Sequence, residues 1–198
     1  MAPRVARRPL RGDPAATLYS RMTERALLDT LDRLVSRALV HPEVRRRLAA
    51  IAERLARNPD VRIAWEPVPL EPYGQLPAGI RSAWVFALRA ATSTGAERHP
   101  NSHQRVVSLS GSADLQTWDG SRWQSHRLES GSADLDGRWL SIPVGTWHRP
   151  VVDAAQDWLV MSFHTAEADR LIEEVAEDDE HPDAAPARVR VYAGRNAR

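Results

Sequence analysis

The chain lacks two residue types outright. Among its 198 residues there is no cysteine and no lysine, so all 27 basic side chains are arginine. Without thiols, disulfides, thiolate metal ligands, iron–sulfur clusters and cysteine nucleophiles are excluded. Without lysine, neither a Schiff-base amine nor a phosphate-binding P-loop lysine can be built. Three asparagines and five isoleucines complete a bias of the kind GC-rich coding produces, which points to a bacterial source. Long apolar runs are missing too: no stretch approaches the ~18 residues that would mark a membrane-spanning helix. The Arg-rich segment Met1 to Arg11 holds no apolar run of signal-peptide type. A cytoplasmic protein is expected.

What is present is unevenly placed. Residues 1–62 carry 14 Arg against 7 acids, residues 63–166 carry 8 against 10, and residues 167–198 carry 5 against 9. A basic arm of this kind can touch phosphate or acidic lipid. Equally, basic and acidic ends can solvate a chain or face each other in a dimer. The net charge of only +1 argues against wholesale nucleic-acid binding. Expected partners are a small-molecule substrate or ligand and a second copy in a homodimer, with no membrane and no nucleic acid.

The periodicity changes along the chain. Residues 1–16, with Pro3, Pro9, Gly12 and Pro14, predict a disordered basic N-terminus. Leu27, Leu28, Leu31, Leu34, Val35, Ala38 and Leu39 recur at helical spacing. After His41-Pro42, a second stripe of Val44, Leu48, Ile51 and Leu55 ends at Asn58-Pro59. Residues 17–60 thus predict a helical hairpin, which cannot bury a core alone and must pack on the rest of the chain or on a partner.

From residue 61 the pattern alternates. Short strand-like runs follow at Ser82–Ala90, Gln104–Ser110, Ala113–Trp118, Ser121–Leu128, Trp139–Ile142, His148–Val152 and Trp158–His164, with Gly or Asp between them. Strands at this spacing mean a sandwich or barrel, so the fold class is mainly β. Residues 61–176 form the expected barrel domain. It ends in a short helix over Glu167–Ala176, where Leu171, Ile172 and Val175 share one side. Residues 177–198, acidic and Pro-containing, predict a mobile tail to which Val189 and Val191-Tyr192 can add an edge strand.

Four of the seven histidines, His99, His103, His148 and His164, lie near turns in the strand-rich region. Imidazoles at strand starts on separate hairpins can converge inside a barrel mouth. Three such nitrogens leave open positions on a divalent metal. Trp147 abuts His148 and is the tryptophan best placed to line a ligand. Arg98, Arg105 and Arg149 flank the histidines, and an arginine there can clamp a substrate carboxylate.

The segment Gly137-Arg-Trp-Leu-Ser-Ile-Pro143-Val-Gly145-Thr-Trp-His148 resembles the second motif of the cupin superfamily, with Val152 in place of its closing Asn. The first cupin motif is recognisable but altered. His99 and Gly111 keep their places, whereas Ala91, Glu97 and Gln104 stand where Gly, His and Glu belong. The resemblance covers residues 82–165 and implies a cupin-like jelly roll.

Residue by residue, it implies a metal held by His99, Gln104 and His148, with Glu97 as a fourth ligand. His103 competes with Gln104, since strand neighbours point to opposite faces. Imidazole chemistry favours His103 and motif spacing favours Gln104. The preferred set is His99, His103 and His148, with Gln104 auxiliary. Trp147, Arg105 and His164 are the substrate-side candidates. The expected cofactor is a divalent transition metal, Fe(II) first, with Zn, Ni or Mn as alternatives. The expected function is a small metal-dependent enzyme of dioxygenase type acting on a small organic molecule; the alternative is a non-catalytic binding or sensing cupin.

Overall fold

The computed structural model describes residues 22–132, 134–185 and 187–191. The expected disordered segment 1–16 lies outside the described residues. Helix α1 spans Glu24–Ala38 and α2 spans Pro42–Arg57. Thr23 caps α1 by accepting from the Ala26 amide at 3.3 Å, and Pro42 opens α2 in its first turn. Among the described residues twelve strands follow: β1 Ile63–Val68, β2 Ser82–Leu88, β3 Glu97–Arg98, β4 Gln104–Ser110, β5 Ser112–Trp118, β6 Trp123–Gln124, β7 Arg127–Glu129, β8 Trp139–Ile142, β9 His148–Val152, β10 Trp158–His164, β11 Ile172–Val175 and β12 Arg188–Val191.

These strands build two antiparallel sheets. The first runs β1-β2-β10-β4-β8. The second runs β12-β11-β3-β9-β5-β6, with β7 also paired to β5. Between them lies an apolar layer that includes Val106, Leu115, Ile142, Val152, Trp158 and Val160. The other face of the first sheet is covered by the helical hairpin. Leu31, Val35, Val44, Ile51 and Leu55 pack there against Val85, Val107, Met161 and Phe163. Burying side chains of this size gains roughly 1.5–3 kcal/mol each, which is why a two-helix unit needs the sheet.

Strand β4 shows the two-sidedness. Val106 faces the layer between sheets, and Val107 faces the helices. The arginine excess of residues 22–62 is spent largely on acids nearby: Arg47 and Arg54 pair with Glu66, Arg46 with Glu43, and Arg25 with Asp136.

One expectation is corrected. Residues 167–176 form no helix; Ile172–Val175 is strand β11, paired on both sides. The Asn101 side chain accepts from the Ile172 amide at 3.1 Å and donates to the Arg170 carbonyl at 2.7 Å, fixing the chain in an extended entry. Of the expected tail 177–198, residues 186 and 192–198 lie outside the described residues, and 177–185 are bonded across the outer face of the second sheet, through Asp179 to Ala96 and through Asp183 to Trp147. β12 then adds the edge strand. Among the described residues no helix is long and apolar enough to cross a membrane.

Gly111, the closing glycine of the first motif, has φ +78, and a Cβ there would sit 2.5 Å from the Asp157 carbonyl oxygen. Both the left-handed backbone and the close approach require glycine.

Candidate metal centre

The site lies between the sheets, where β3 meets β9. Their register pairs Glu97 with His148. In a strand, alternate residues share a face, so Glu97 and His99 point inward while Arg98 points outward. The β9 turn delivers His148 after Pro143 and Gly145, whose amide bonds to the His99 carbonyl at 3.0 Å. Glu97, His99 and His148 each offer a ligand atom, and these atoms lie within 4.8 Å of one another.

The tautomers follow from elementary bonding. His99 Nδ1 lies 3.0 Å from the Ile172 carbonyl oxygen, and His148 Nδ1 lies 3.1 Å from that of Thr146. A carbonyl can only accept, so each Nδ1 carries the proton and donates. In the neutral ring Nε2 then presents a lone pair, the arrangement metal-binding histidines use. Burial holds both imidazoles below their ordinary pKa, His148 at about 4, with mutual repulsion adding to the shift at His99. Both are therefore neutral at pH 7. The Nε2 of His148 is buried and has no hydrogen-bond partner. Its neighbour is Glu97 Oε1, 3.5 Å away.

A cavity of about 40 Å³ opens beside these groups. Glu97, Gln104 and His148 give it a polar end, and Phe86, Leu115 and Val160 are among its apolar walls. Gln104 Oε1 is buried there without a hydrogen-bond partner. Strand parity thus places Gln104, not His103, on the inner face.

His103 is corrected accordingly. It lies on the helix side, where its Nε2 is 2.7 Å from Ser141 Oγ. Ser141 gives its hydroxyl proton to Glu24 at 2.6 Å, so His103 Nε2 must be the donor and has no lone pair to offer a metal.

The substrate-side candidates also fall elsewhere. Arg105 follows the same parity: it is buried and donates twice to Glu24, at 2.6 and 3.0 Å. Trp147 faces outward, under Arg98 and bonded to Asp183. His164 is 1% exposed, with Ser162 Oγ 2.9 Å from Nε2 and Ser102 Oγ 3.4 Å from Nδ1. Its ring packs edge-on against His99 at 5.0 Å and so buttresses a donor rather than meeting a substrate.

The structure also assigns work that the sequence pattern did not reveal. Ile172, Thr146 and Ser102 orient the imidazoles through a backbone carbonyl or a hydroxyl. No side-chain motif marks such contacts in a sequence.

The three buried imidazoles carry a pH prediction. His99, His148 and His164 have pKa values depressed below 6.5, chiefly by burial. Below pH 6.5 the unfolded chain therefore binds more protons than the folded one, and stability falls as pH falls. The loss runs from about pH 6.5 down to about 4 for His148, whose share is roughly 3 kcal/mol at ~1.4 kcal/mol per pKa unit. Urea melts of chelator-treated protein at pH 7.5 and pH 5 check this. A midpoint that does not drop at pH 5 contradicts it.

No protein-family model and no curated protein matches the chain. Among solved structures, CapF, the capsular polysaccharide assembling protein of Staphylococcus aureus, is 14% identical with a TM-score of 0.45, over 57% of this chain and 30% of its own. An oxalate oxidase in complex with the substrate analogue glycolate is 16% identical with a TM-score of 0.41, over 54% of this chain and 53% of its own. KdgF from Halomonas sp. is 14% identical with a TM-score of 0.41, over 55% of this chain and 83% of its own. The chain thus spans about a third of CapF and about half of the oxalate oxidase. The β region itself is a pair of antiparallel sheets, and its Gly137–His148 turn ends on an inward imidazole.

Proposed function

We propose that this chain is a metal-dependent enzyme of dioxygenase type, acting on a small organic molecule in the cavity beside His148. One observation carries the reading. A buried imidazole lone pair at His148 Nε2 faces a carboxylate oxygen of Glu97 at 3.5 Å, with no hydrogen-bond donor to either side of that nitrogen. Two acceptors facing each other in a low-dielectric interior repel, and a cation between them removes the repulsion. Two imidazoles and one carboxylate are the donor set of non-haem Fe(II) sites with open positions. His99, His148 and Glu97 would hold the metal, with Gln104 in reach of the same cavity. When bound, such an ion supplies Lewis-acid and one-electron chemistry.

The chain's own residues do the rest. Ile172 and Thr146 hold the imidazole protons on Nδ1, keeping both Nε2 atoms as donors. Phe86, Leu115, Val160 and Trp158 exclude water from the cavity. Among the described residues no arginine lines that cavity, since Arg105 faces α1 and Arg98 and Arg149 face the outer surface. Recognition of a substrate's polar group therefore falls to Gln104, Thr94 and Ser162 together with a bound cation.

Elemental analysis of the purified protein and titration of the chelator-treated form with Co(II) test the reading. One ion per chain is expected, and no uptake of either metal would sink it. Consumption of dioxygen by Fe(II)-loaded protein with small organic substrates then separates the enzyme from a non-catalytic binding protein.

A further inference from the structure

Two of the three donors, Glu97 and His99, sit on or just beyond the very short strand β3, whereas His148 opens β9, which is fully paired to β5. β3 is two residues long and meets β9 through a single register pair. On its other edge β3 is held by two register pairs to β11, which leads directly into residues 177–185. The outward-facing neighbours are held as well. Ala96, next to Glu97, donates its amide to Asp179 Oδ1 at 2.8 Å. Arg98, between Glu97 and His99, pairs with Glu174 at 2.6 Å and lies 4.4 Å from the centroid of the Trp147 ring. Trp147, next to His148, donates its indole N–H to Asp183 at 2.7 Å, and Trp118 donates to the same carboxylate at 2.9 Å. Arg149, on the other side of His148, donates to the Asp179 carbonyl and to Glu180, both at 2.8 Å. Its guanidinium stacks over Trp123, whose indole also donates to the Asp179 carbonyl.

Every one of the three donor residues is therefore flanked by a residue gripped by residues 174–183. The same segment enters from β11, where the Ile172 carbonyl fixes the His99 tautomer. We infer that the acidic segment 177–185 is a strap that positions the metal centre from the outer face of the sheet, so that strap docking and metal binding are thermodynamically coupled. Asp179 and Asp183 are its positioning residues. The inference rests on the metal-binding reading of Glu97, His99 and His148. It adds that the affinity of those donors is set by a segment that touches none of their ligand atoms. Because coupling of equilibria is reciprocal, the metal must tighten the strap by the factor by which the strap tightens the metal.

The test uses the full chain and Co(II) as the probe. The double variant Asp179→Ala/Asp183→Ala is expected to weaken Co(II) binding by roughly 10- to 100-fold, the usual cost of losing residues that orient metal ligands. Asp179→Asn, which keeps the oxygen that accepts from Ala96, is expected to stay within about twofold of the original chain. Ile51→Val, which loosens the helix–sheet core far from the strap, is expected to lower thermal stability and leave Co(II) affinity unchanged. In the unmodified chain, Co(II) is expected to slow amide exchange across residues 177–185, a readout that needs no variant to fold. Equal Co(II) affinity in the double variant while its strap amides exchange freely would overturn the inference alone. So would strap exchange that Co(II) leaves unchanged in the original chain. Failure of the original chain to bind Co(II) overturns the site reading and the inference with it.

Discussion

His148→Ala is expected to abolish Co(II) and Fe(II) binding, a larger loss than the roughly 10- to 100-fold that removal of a supporting residue costs. The reason is geometric. His148 Nε2 is the buried, partnerless atom around which the cavity's polar end is arranged. Glu97→Gln, which keeps the shape and removes the charge, is expected to weaken binding as well. The informative control is His103→Ala. Sequence chemistry alone ranks His103 with His99 and His148, whereas the structure turns it to the helix side and commits its Nε2 to Ser141. His103→Ala is therefore expected to leave metal stoichiometry at one per chain. Titration of the three variants in parallel decides between the two ligand sets, and loss of metal in His103→Ala with retention in His148→Ala would reverse the assignment. The metal-free His148→Ala chain still folds, because the imidazole gives up only its bond to the Thr146 carbonyl, worth about 1 kcal/mol, and some packing.

Glu24→Ala is expected to destabilise the protein by about 1–2 kcal/mol with no effect on metal affinity, less than a fully buried pair costs because the Glu24 side chain is 41% exposed. The Arg105 side chain is 7% exposed and donates twice to Glu24. Removing Glu24 leaves a guanidinium charge under the N-terminal end of α1 with no carboxylate to meet it, and a stranded charge costs more than a lost pair. Ser141 loses its acceptor in the same change. Urea denaturation gives the stability and Co(II) titration gives the affinity. A variant with unaltered stability, or one that loses metal along with stability, would argue that Arg105 serves the centre after all.

Much of the architecture is legible in the sequence because it rests on periodicity. The helical stripes, β4, β8, β9 and β10 are marked by apolar spacing, and the Gly137–His148 turn by its glycines and proline. Ala91 shows what kind of constraint a motif glycine expresses. It occupies the place of the first motif's opening Gly and has φ +56, so the left-handed backbone is kept without the residue that adopts it most easily. Imidazole chemistry ranks His103 above Gln104 in the sequence, and the structure reverses that order: both fit a strand start, and only the position of α1 decides which face is interior. β3 escaped notice because two residues carry no periodic signal. The 167–176 segment misled because Leu171, Ile172 and Val175 suit a helix face as well as they suit a strand, and the Asn101 side chain that settles it is about 70 residues away in the chain. Trp147 adjoins His148 in sequence, but neighbours in a strand look in opposite directions, so closeness along the chain placed it on the wrong side of the sheet.

The modest size of the cavity bears on how such a protein diversifies. Phe86, Leu115, Trp158 and Val160 wall a space of about 40 Å³, so they shape what can approach His148 or Gln104. One methylene more or less at a wall position shifts discrimination between guests by roughly 1–3 kcal/mol. New specificities are thus open to a lineage through changes at Phe86 or Leu115 alone, while the donors, their carbonyl props and the strap behind them stay untouched.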